Sequence, residues 1–495
     1  MVYFRKSAKK VTFLCAFFLF SHKKKYKMLI SLKEAVPLIY DSPFSKPLSW
    51  EIAEDQVWTV IGNNGAGKSS LMDVLMGKYN MKSGEILYNL SLKNEDDRPS
   101  KHIKAISFNS VYAVANFRDT YYQQRFNHTE TDFSPKVRDL FSLNDFDGNE
   151  IVTQLLQPLM DKYVVQLSSG ELRKVLIARV LTEKPQVLIF DNPFIGLDIA
   201  SRELMENLLP KLIQDGIHLI FAVSSFADIP RCTTHLLKMG KGYIENQEEY
   251  QIRYDEFMPM NSVKIDWSRF PVATTECDVV AQMRDLTISY GSRVVNSHIN
   301  WTVRAGEKWA LLGPNGSGKS TLLSYVFADN PQAYSKDITL FDRKRGTGES
   351  IWDIKKRIGY TSSEMHLYYR ENVDCLSVVK SGFFDSIGLF RKCTEEQSAT
   401  AEYVMNLLRL NHLRSRLFLR TSAGEQRMVL FARAVVKNPE LLVLDEPFHG
   451  LDDVNKRLCS DFIEQFCEQR KKTLVFVTHC MEEIPANVNN IMKLG

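Results

Sequence analysis

The sequence predicts an α/β protein made of two similar domains, each with a mostly parallel core sheet. One pair of near-copies supports this prediction, because LIFDNPFIGLD at 188–198 returns as LVLDEPFHGLD at 442–452. A second pair, TVIGNNGAGKSS at 59–70 and ALLGPNGSGKST at 310–321, stands at matching places in the two halves. Between these segments, short apolar runs alternate with helical patterns, which favours strands covered by helices. A duplication of whole domains explains the matches, whereas a short-period repeat protein does not.

The duplication divides the chain into four parts. Residues 28–250 and 278–495 are predicted to form the domains, and residues 251–277 are predicted to be a linker. The linker has mixed polarity and no long periodic face. Residues 1–27 are a basic and apolar extension, whose run VTFLCAFFLF is too short to span a membrane as a helix. We expect Met28 to be the actual start, with a weak membrane anchor as the alternative.

Composition and charge exclude several classes of protein. The 495 residues carry a net charge of +4, which is too small to indicate nucleic acid or an acidic membrane by itself. The 8 cysteines are scattered without metal-ligand spacing, so a reducing cytosol fits better than a disulfide scaffold. We therefore expect a cytoplasmic protein, with peripheral attachment to the inner face of the plasma membrane as a second expectation.

In each half, a glycine-rich loop lies between an apolar strand and a run with a helical pattern, at 59–70 and 310–321. The pattern GxxxxGK[ST] in this setting is a specific signal for phosphate binding. Backbone N–H groups of the loop and the helix N-terminus surround phosphate oxygens. Lys68 or Lys319 is then placed to bridge the outer phosphates, and Ser69 or Ser320 is placed to bind Mg²⁺.

The next shared element is an apolar strand that ends in Asp191 or Asp445, which supplies a carboxylate for the metal. LSSGE at 167–171 and TSAGE at 421–425 precede these aspartates by the same distance. With them the chain resembles the ATP-binding cassette (ABC) ATPases, from residue 28 to 495. In this family the segments equivalent to LSSGE and TSAGE are called the signature. The order of glycine loop, signature, aspartate with its neighbour, and switch histidine is highly specific for the family.

The resemblance implies two P-loop NTPase domains of the ABC type, each with a mostly parallel core sheet, added antiparallel strands and a helical subdomain. It also implies that the two cassettes pair head to tail within the chain, with ATP and Mg²⁺ between the glycine loop of one and the signature of the other. In site one, the expected nucleotide contacts are Gly62, Asn64, Gly65, Gly67, Lys68, Ser69, Ser70, Ser422 and Gly424. In site two, they are Gly313, Asn315, Gly316, Gly318, Lys319, Ser320, Thr321, Tyr290, Ser168 and Gly170, with Tyr290 placed to stack on adenine.

The resemblance further implies that the two sites are unequal. Glu446 stands at the position of the base that polarises the attacking water, and His479 stands at the switch position. The first half carries Asn192 and Ser225 there, and an amide cannot accept a proton at neutral pH. Loss of a general base typically lowers a rate roughly 10²–10⁴-fold. We therefore predict that site one holds ATP and turns it over slowly, while site two hydrolyses it.

Within the family, residues 333–370 and 381–390 most resemble tandem-cassette proteins named for molybdenum-transport operons. This implies an ATPase that energises an importer with separate permease subunits. Ser363 stands where transport cassettes usually carry Gln, which leaves open a nucleotide-gated clamp on nucleic acid or protein. A ribosome-associated translation factor is a further alternative, disfavoured by the short linker. The basic run DRKRG at 342–346 is expected to be a solvated face.

Overall fold

The computed structural model describes residues 27–91, 97–107, 135–146, 150–164, 167, 169–250, 264–272, 277–290, 293–327, 330–362, 365, 369, 372–469 and 472–494. Within these ranges the predicted α/β fold class is confirmed. Each half contains a mostly parallel central sheet, a smaller antiparallel sheet and packed helices. The predicted extension lies outside the described residues apart from Lys27.

The first half is built on a six-stranded sheet of order β5-β6-β7-β3-β8-β9, in which only the β8–β9 pair is antiparallel. A three-stranded antiparallel sheet of order β2-β1-β4 lies beside it. The strands are β1 (Met28–Pro37), β2 (Leu48–Ala53), β3 (Trp58–Gly62), β4 (Met81–Tyr88), β5 (Ile103–Ser107), β6 (Val187–Asp191), β7 (His218–Val223), β8 (His235–Gly240) and β9 (Tyr243–Glu249). The helices are α1 (Lys68–Leu75), α2 (Pro99–His102), α3 (Glu150–Leu156), α4 (Ser169–Thr182) and α5 (Ile199–Gln214).

The second half repeats this plan with a five-stranded parallel sheet of order β15-β16-β17-β12-β18. Its antiparallel sheet has the order β11-β10-β13-β14. The strands are β10 (Val279–Tyr290), β11 (Arg293–Arg304), β12 (Lys308–Leu312), β13 (Asp337–Leu340), β14 (Arg343–Lys344), β15 (Ile358–Ser362), β16 (Leu441–Asp445), β17 (Thr473–Thr478) and β18 (Asn490–Lys493). The helices are α6 (Lys319–Val326), α7 (Ile351–Arg357), α8 (Cys375–Ser381), α9 (Glu395–Leu407), α10 (Ala423–Val435) and α11 (Asp453–Glu468).

The central strands are buried along their whole length. Every residue of β6 (VLIFD), β16 (LLVLD) and β17 (TLVFVT) is buried. Continuous apolar runs of this kind are typical of parallel strands that are covered by helices on both faces. Parallel strands also bring their carboxyl ends to one edge, where ligands bind in open α/β sheets. This edge therefore holds Asp191 and Asp445, each at the end of its strand.

Part of the predicted linker packs onto the second half. In the described residues 264–272, Ile265 and Phe270 are buried in the core formed with α9, α10 and α11. The Trp267 ring contacts the rings of Phe270 and Phe462, with centroid distances of 5.1 and 5.7 Å. These apolar side chains follow no helix or strand period, so their burial was not predicted. The described part of the linker is a component of the second half.

Arg345 shows that the basic run at 342–346 is only partly a solvated face, contrary to the sequence-based expectation. Arg343 and Lys344 are exposed, but Arg345 is buried. Its Nη1 donates to Glu349 Oε1 at 2.5 Å, and its guanidinium lies over the Tyr334 ring. A buried charge needs such a partner. The pair orders the turn that leads into α7.

Across the described parts of the chain, no helix combines the length and the apolarity that a membrane-spanning segment needs.

Candidate active site

Both glycine loops lead directly into a helix at the predicted lysine. Helix α1 begins at Lys68 and α6 begins at Lys319. The residues before them, Gly67 and Gly318, have φ angles of 97° and 92°. This left-handed backbone is open to glycine and strained for other residues. The loop glycines thus allow the chain to turn so that the first N–H groups of each helix face the loop.

The two loop lysines are buried against their own loops. Lys68 Nζ donates to the carbonyl oxygens of Gly62 and Asn63 at 2.5 and 3.0 Å. Lys319 makes the same two bonds to its loop, at 2.7 and 2.9 Å. Burial lowers the pKa of Lys68 to about 8, although Asp191 attracts the ammonium group. A buried cation of this kind gains stability when an anion such as a phosphate binds beside it.

A hydroxyl group and a carboxylate meet beside each loop. Ser69 Oγ donates to Asp191 Oδ2 at 2.9 Å, and Ser320 Oγ donates to Asp445 Oδ2 at 3.3 Å. Burial raises the pKa of Asp191. Oxygen ligands of this type are those that Mg²⁺ prefers. The predicted metal pairs are therefore chemically suited to Mg²⁺ in both halves.

The first glycine loop faces the signature segment of the second half. Asn64 N donates to Asp452 Oδ2 at 2.7 Å. A Cβ built on Gly65 would lie 2.7 Å from Glu425 Oε1, and Gly424 packs directly on the Asn64 side chain. The structure thus brings together the residues predicted for site one from both halves. Ser422, which precedes Gly424 in the same signature, caps α10 by accepting a hydrogen bond from Glu425 N.

The second glycine loop contacts the first half through the segment that follows β6. Asn315 N donates to Asp198 Oδ2 at 3.3 Å, and Asn315 Nδ2 donates to Gly196 O at 3.1 Å. Gly170 lies in the first turn of α4, where a Cβ built on it would stand 2.8 Å from Oγ of Ser201 in its own half. Among the described residues, no atom lies within 4 Å of the corresponding position on Gly316.

The remaining predicted residues lie on the loops and in the first helical turns, or outside the described residues. Around the loops and turns are Gly62, Ser70, Gly313 and Thr321. Outside the described residues are Ser168, Ser363 and the side chain of Tyr290.

Glu446 is held between two histidines. Its Oε2 lies 2.8 Å from His449 Nδ1, and its Oε1 lies 3.2 Å from His479 Nδ1. Burial alone would raise the pKa of Glu446, but the charges and hydrogen bonds of both histidines bring it well below its ordinary range. Burial alone would lower the pKa of His479, but the Glu446 carboxylate outweighs it and raises this pKa. Glu446 is therefore a carboxylate at neutral pH.

Sequence reasoning missed His449. The signal was present in the paired segments, because LVLDEPFHGLD has His449 where LIFDNPFIGLD has Ile195. The residue belongs to no motif of the resemblance, so only its contact with Glu446 marks it as part of the site.

The first half replaces all three members of this cluster. Asn192 has the same left-handed backbone as Glu446, with φ angles of 54° and 50°. Its Nδ2 donates to Asp191 Oδ1 at 2.8 Å. The backbone register places Ser224, and not Ser225 as predicted, at the position equivalent to His479, because Asn192 N and Glu446 N donate to Ala222 O and Val477 O, each two residues earlier. The adjacent Ser225 donates from Oγ to Asp453 Oδ1 of the second half at 2.8 Å. The backbone of the site is thus preserved while its acid–base groups are absent.

The ABC transporter family profile matches residues 45–195 and 296–449. The chain belongs to this family. The ABC transporter ATP-binding protein ModF of Escherichia coli (strain K12) is 33% identical over 460 residues, which cover 88% of this chain and 90% of ModF. An uncharacterized ABC transporter ATP-binding protein of Schizosaccharomyces pombe (strain 972) is 30% identical over 467 residues, or 90% of this chain and 94% of that protein.

One solved structure shares the fold over nearly the whole chain. The archaeal ribosome recycling factor, in a crystal structure with the archaeal ribosomal stalk protein, aligns with a TM-score of 0.52 at 19% identity. The alignment covers 93% of this chain and 87% of that chain, which shows a common fold. The predictions of two ABC cassettes in tandem and of similarity to ModF are therefore confirmed, and the cassettes are of the ATP-binding type.

Proposed function

We propose that this chain is an ATPase that hydrolyses ATP at site two and retains ATP at site one. The observation that carries the proposal is the matched pair Glu446 and Asn192, which share one backbone conformation but differ in the ability to accept a proton. The phosphate-binding lysine is kept in both halves. Binding is therefore supported at both sites, and base chemistry at one.

At site two, Lys319 would bind the outer phosphates of ATP through its ammonium group. Ser320 and Asp445 would hold Mg²⁺, which when bound neutralises charge on the phosphates. The Glu446 carboxylate would accept a hydrogen bond from the attacking water and orient it toward the γ-phosphate. His479 would contact the γ-phosphate and, through its contact with Glu446, keep the carboxylate in position.

The contacts across the two halves support longer closure at site one. Each glycine loop makes the same two hydrogen bonds across the halves, from Asn64 at 2.7 and 3.3 Å and from Asn315 at 3.3 and 3.1 Å. Site one also has the hydrogen bond between Ser225 and Asp453. The residue equivalent to Asp453 in the first half is Ile199, which is 74% exposed. Since the Ile199 side chain cannot accept a hydrogen bond, site two lacks this contact and is expected to open first.

Nucleotide retention tests this asymmetry. The chain is loaded with labelled Mg-ATP, chased with unlabelled ATP for many turnovers, and the bound label is identified. We expect about one labelled nucleotide per chain, still as ATP, because hydrolysis without a general base is roughly 10²–10⁴-fold slower. Lys68→Met should abolish this retained ATP, and the matched Lys319→Met should preserve it. The proposal would be contradicted if the retained label were recovered as ADP. It would also be contradicted if Lys319→Met lost the label while Lys68→Met kept it.

We further propose that ATP hydrolysis energises an importer with separate permease subunits, a molybdate system being one candidate. The support is that ModF, similar over most of both chains, is named an ABC transporter ATP-binding protein. Ile387 and Phe390, in the loop between α8 and α9, expose 44% and 70% of their surface and offer an apolar contact for a partner. A cytoplasmic location at the inner face of the membrane follows from this role.

Affinity capture from cells tests the partner. The tagged Glu446→Gln chain is used with ATP, because a variant unable to hydrolyse it should keep the halves closed. We expect permease subunits in the eluate, and their loss when Phe390→Asp is added. Val272→Asp, at a position that is 89% exposed, is the matched control and should retain them. Recovery of ribosomes would contradict the importer and favour the translation factor. Recovery of nucleic acid, or of none of these partners, would contradict it and favour the nucleotide-gated clamp.

A further inference from the structure

Two histidines and a carboxylate form a compact cluster next to the oxygen pair of Ser320 and Asp445. Glu446, His449 and His479 each offer one ligand atom, and these atoms all lie within 4.8 Å of one another. The side chains expose only 13%, 11% and 14% of their surface. The cluster is therefore preformed and shielded, yet still reachable from solvent.

We propose that Glu446, His449 and His479 form a transition-metal site for an ion such as Zn²⁺, and that filling it stops ATP hydrolysis. Two imidazoles and one carboxylate, with a further position open to water, match the ligand sets that Zn²⁺ takes in proteins. Imidazole nitrogen selects Zn²⁺ and Co²⁺, whereas Mg²⁺ stays with oxygen ligands. The inhibition rests on the proposed hydrolytic role of Glu446, because a metal-bound carboxylate cannot accept a proton from water.

Contacts from both halves hold His449 in place, one to its backbone and one to its ring. Its backbone carbonyl accepts a hydrogen bond of 2.6 Å from Nη1 of Arg427. Across the interface, a Cβ built on Gly196 would lie 3.3 Å from His449 Cε1, so a larger residue there would crowd the ring. A ligand held in this way loses little conformational freedom on metal binding, which favours affinity. The site should thus be most complete when the two halves are closed.

The same reasoning predicts one such ion per chain. The first half has Asn192, Ile195 and Ser224 at the three equivalent positions. An amide, an aliphatic chain and a hydroxyl are poor ligands for Zn²⁺ compared with imidazole and carboxylate. The first half also suggests the substitution for the test. Because Ile195 stands at the position equivalent to His449, we expect isoleucine to be tolerated there.

Cobalt binding tests the site without reference to hydrolysis. The full nucleotide-free chain is titrated with Co²⁺ alone and followed by visible absorption, which distinguishes four-coordinate from six-coordinate cobalt. We expect one four-coordinate Co²⁺ per chain, displaced by Zn²⁺. His449→Ile should weaken binding at least about tenfold, since even a residue that only orients a ligand contributes 10–100-fold. His298→Gln is the control, because His298 pairs with Asp285 on the exposed surface. Equal binding by His449→Ile, or loss in the control alone, would overturn the site.

ATPase inhibition then tests the consequence. Each variant is compared with its own uninhibited rate at a buffered free Zn²⁺ concentration with Mg-ATP in excess. The Zn²⁺ concentration for half inhibition should rise at least about tenfold in His449→Ile and stay unchanged in His298→Gln. If Co²⁺ binds as expected but Zn²⁺ inhibits both variants equally, the metal site stands and its link to Glu446 is wrong. If Co²⁺ fails to bind, the site itself is wrong whatever the ATPase rate.

Discussion

Glu446→Gln is expected to lower the steady-state ATPase rate by about 10²–10⁴-fold while ATP binding stays near that of the parent chain. Glutamine has the shape of glutamate and keeps a hydrogen-bonding contact for His449 and His479. It cannot accept a proton from water at neutral pH, so the loss falls on the chemical step. The rate is measured by phosphate release under saturating Mg-ATP, and binding by equilibrium titration of a fluorescent nucleotide.

Asn192→Gln is the matched control for this prediction. It places the same side chain at the equivalent position of the first half, where the backbone φ angle is also left-handed. We expect an ATPase rate within about twofold of the parent, because Asn192 is already an amide. Equal losses in both variants would show that each site contributes to hydrolysis. An undiminished rate in Glu446→Gln would remove Glu446 from the mechanism.

The elements around the phosphate sites could be predicted because one local pattern fixes both backbone and chemistry there. The glycine loop demands left-handed residues such as Gly67 and Gly318, and a helix follows each loop as predicted, beginning at Lys68 and Lys319. The difference between Glu446 and Asn192 was likewise visible in a pair of aligned segments. Local spacing was sufficient wherever the interacting residues belong to one loop.

Contacts that depend on how distant segments meet could not be predicted. His449 reaches Glu446 because the left-handed backbone at Glu446 turns the chain back on itself. Ser225 was predicted at the position of the missing histidine, which belongs to its neighbour Ser224, and its hydrogen bond to Asp453 depends on the placement of one half against the other. Arg345 is buried because Glu349 neutralises it four residues later. None of these pairings follows from a hydrophobic period or a motif.

The hydrogen bond between Ser225 and Asp453 gives a second role to the segment from which the switch histidine is missing. In the second half His479 points to the carboxylate of Glu446, whereas Ser225 joins the first half to the second. The segment after this strand thus serves chemistry in the second half, through His479, and holds the two halves together in the first, through Ser225. This division explains how site one gains closure as it loses acid–base groups, which is the condition for holding ATP while site two turns over.

Ser225→Ala is therefore expected to release ATP from site one about 10–100-fold faster. A hydrogen bond to a charged group contributes roughly 1.5–3 kcal/mol, and opening of the interface must break this one. The readout is the dissociation rate of labelled ATP retained after a chase, measured in chains that carry Glu446→Gln so that hydrolysis does not interfere. Ile199→Ala, at the exposed position equivalent to Asp453, is the control and should change the rate less than about twofold.

A double-mutant cycle decides whether the effect belongs to this hydrogen bond. Ser225→Ala, Asp453→Ala and the double variant are compared in the same dissociation assay. Residues in direct contact show a coupling energy, so the double variant should release ATP hardly faster than either single one. If the two effects instead multiply, each residue acts separately. Closure of site one must then come from the remaining cross-half contacts, Asn64 with Asp452 and Glu425 over Gly65.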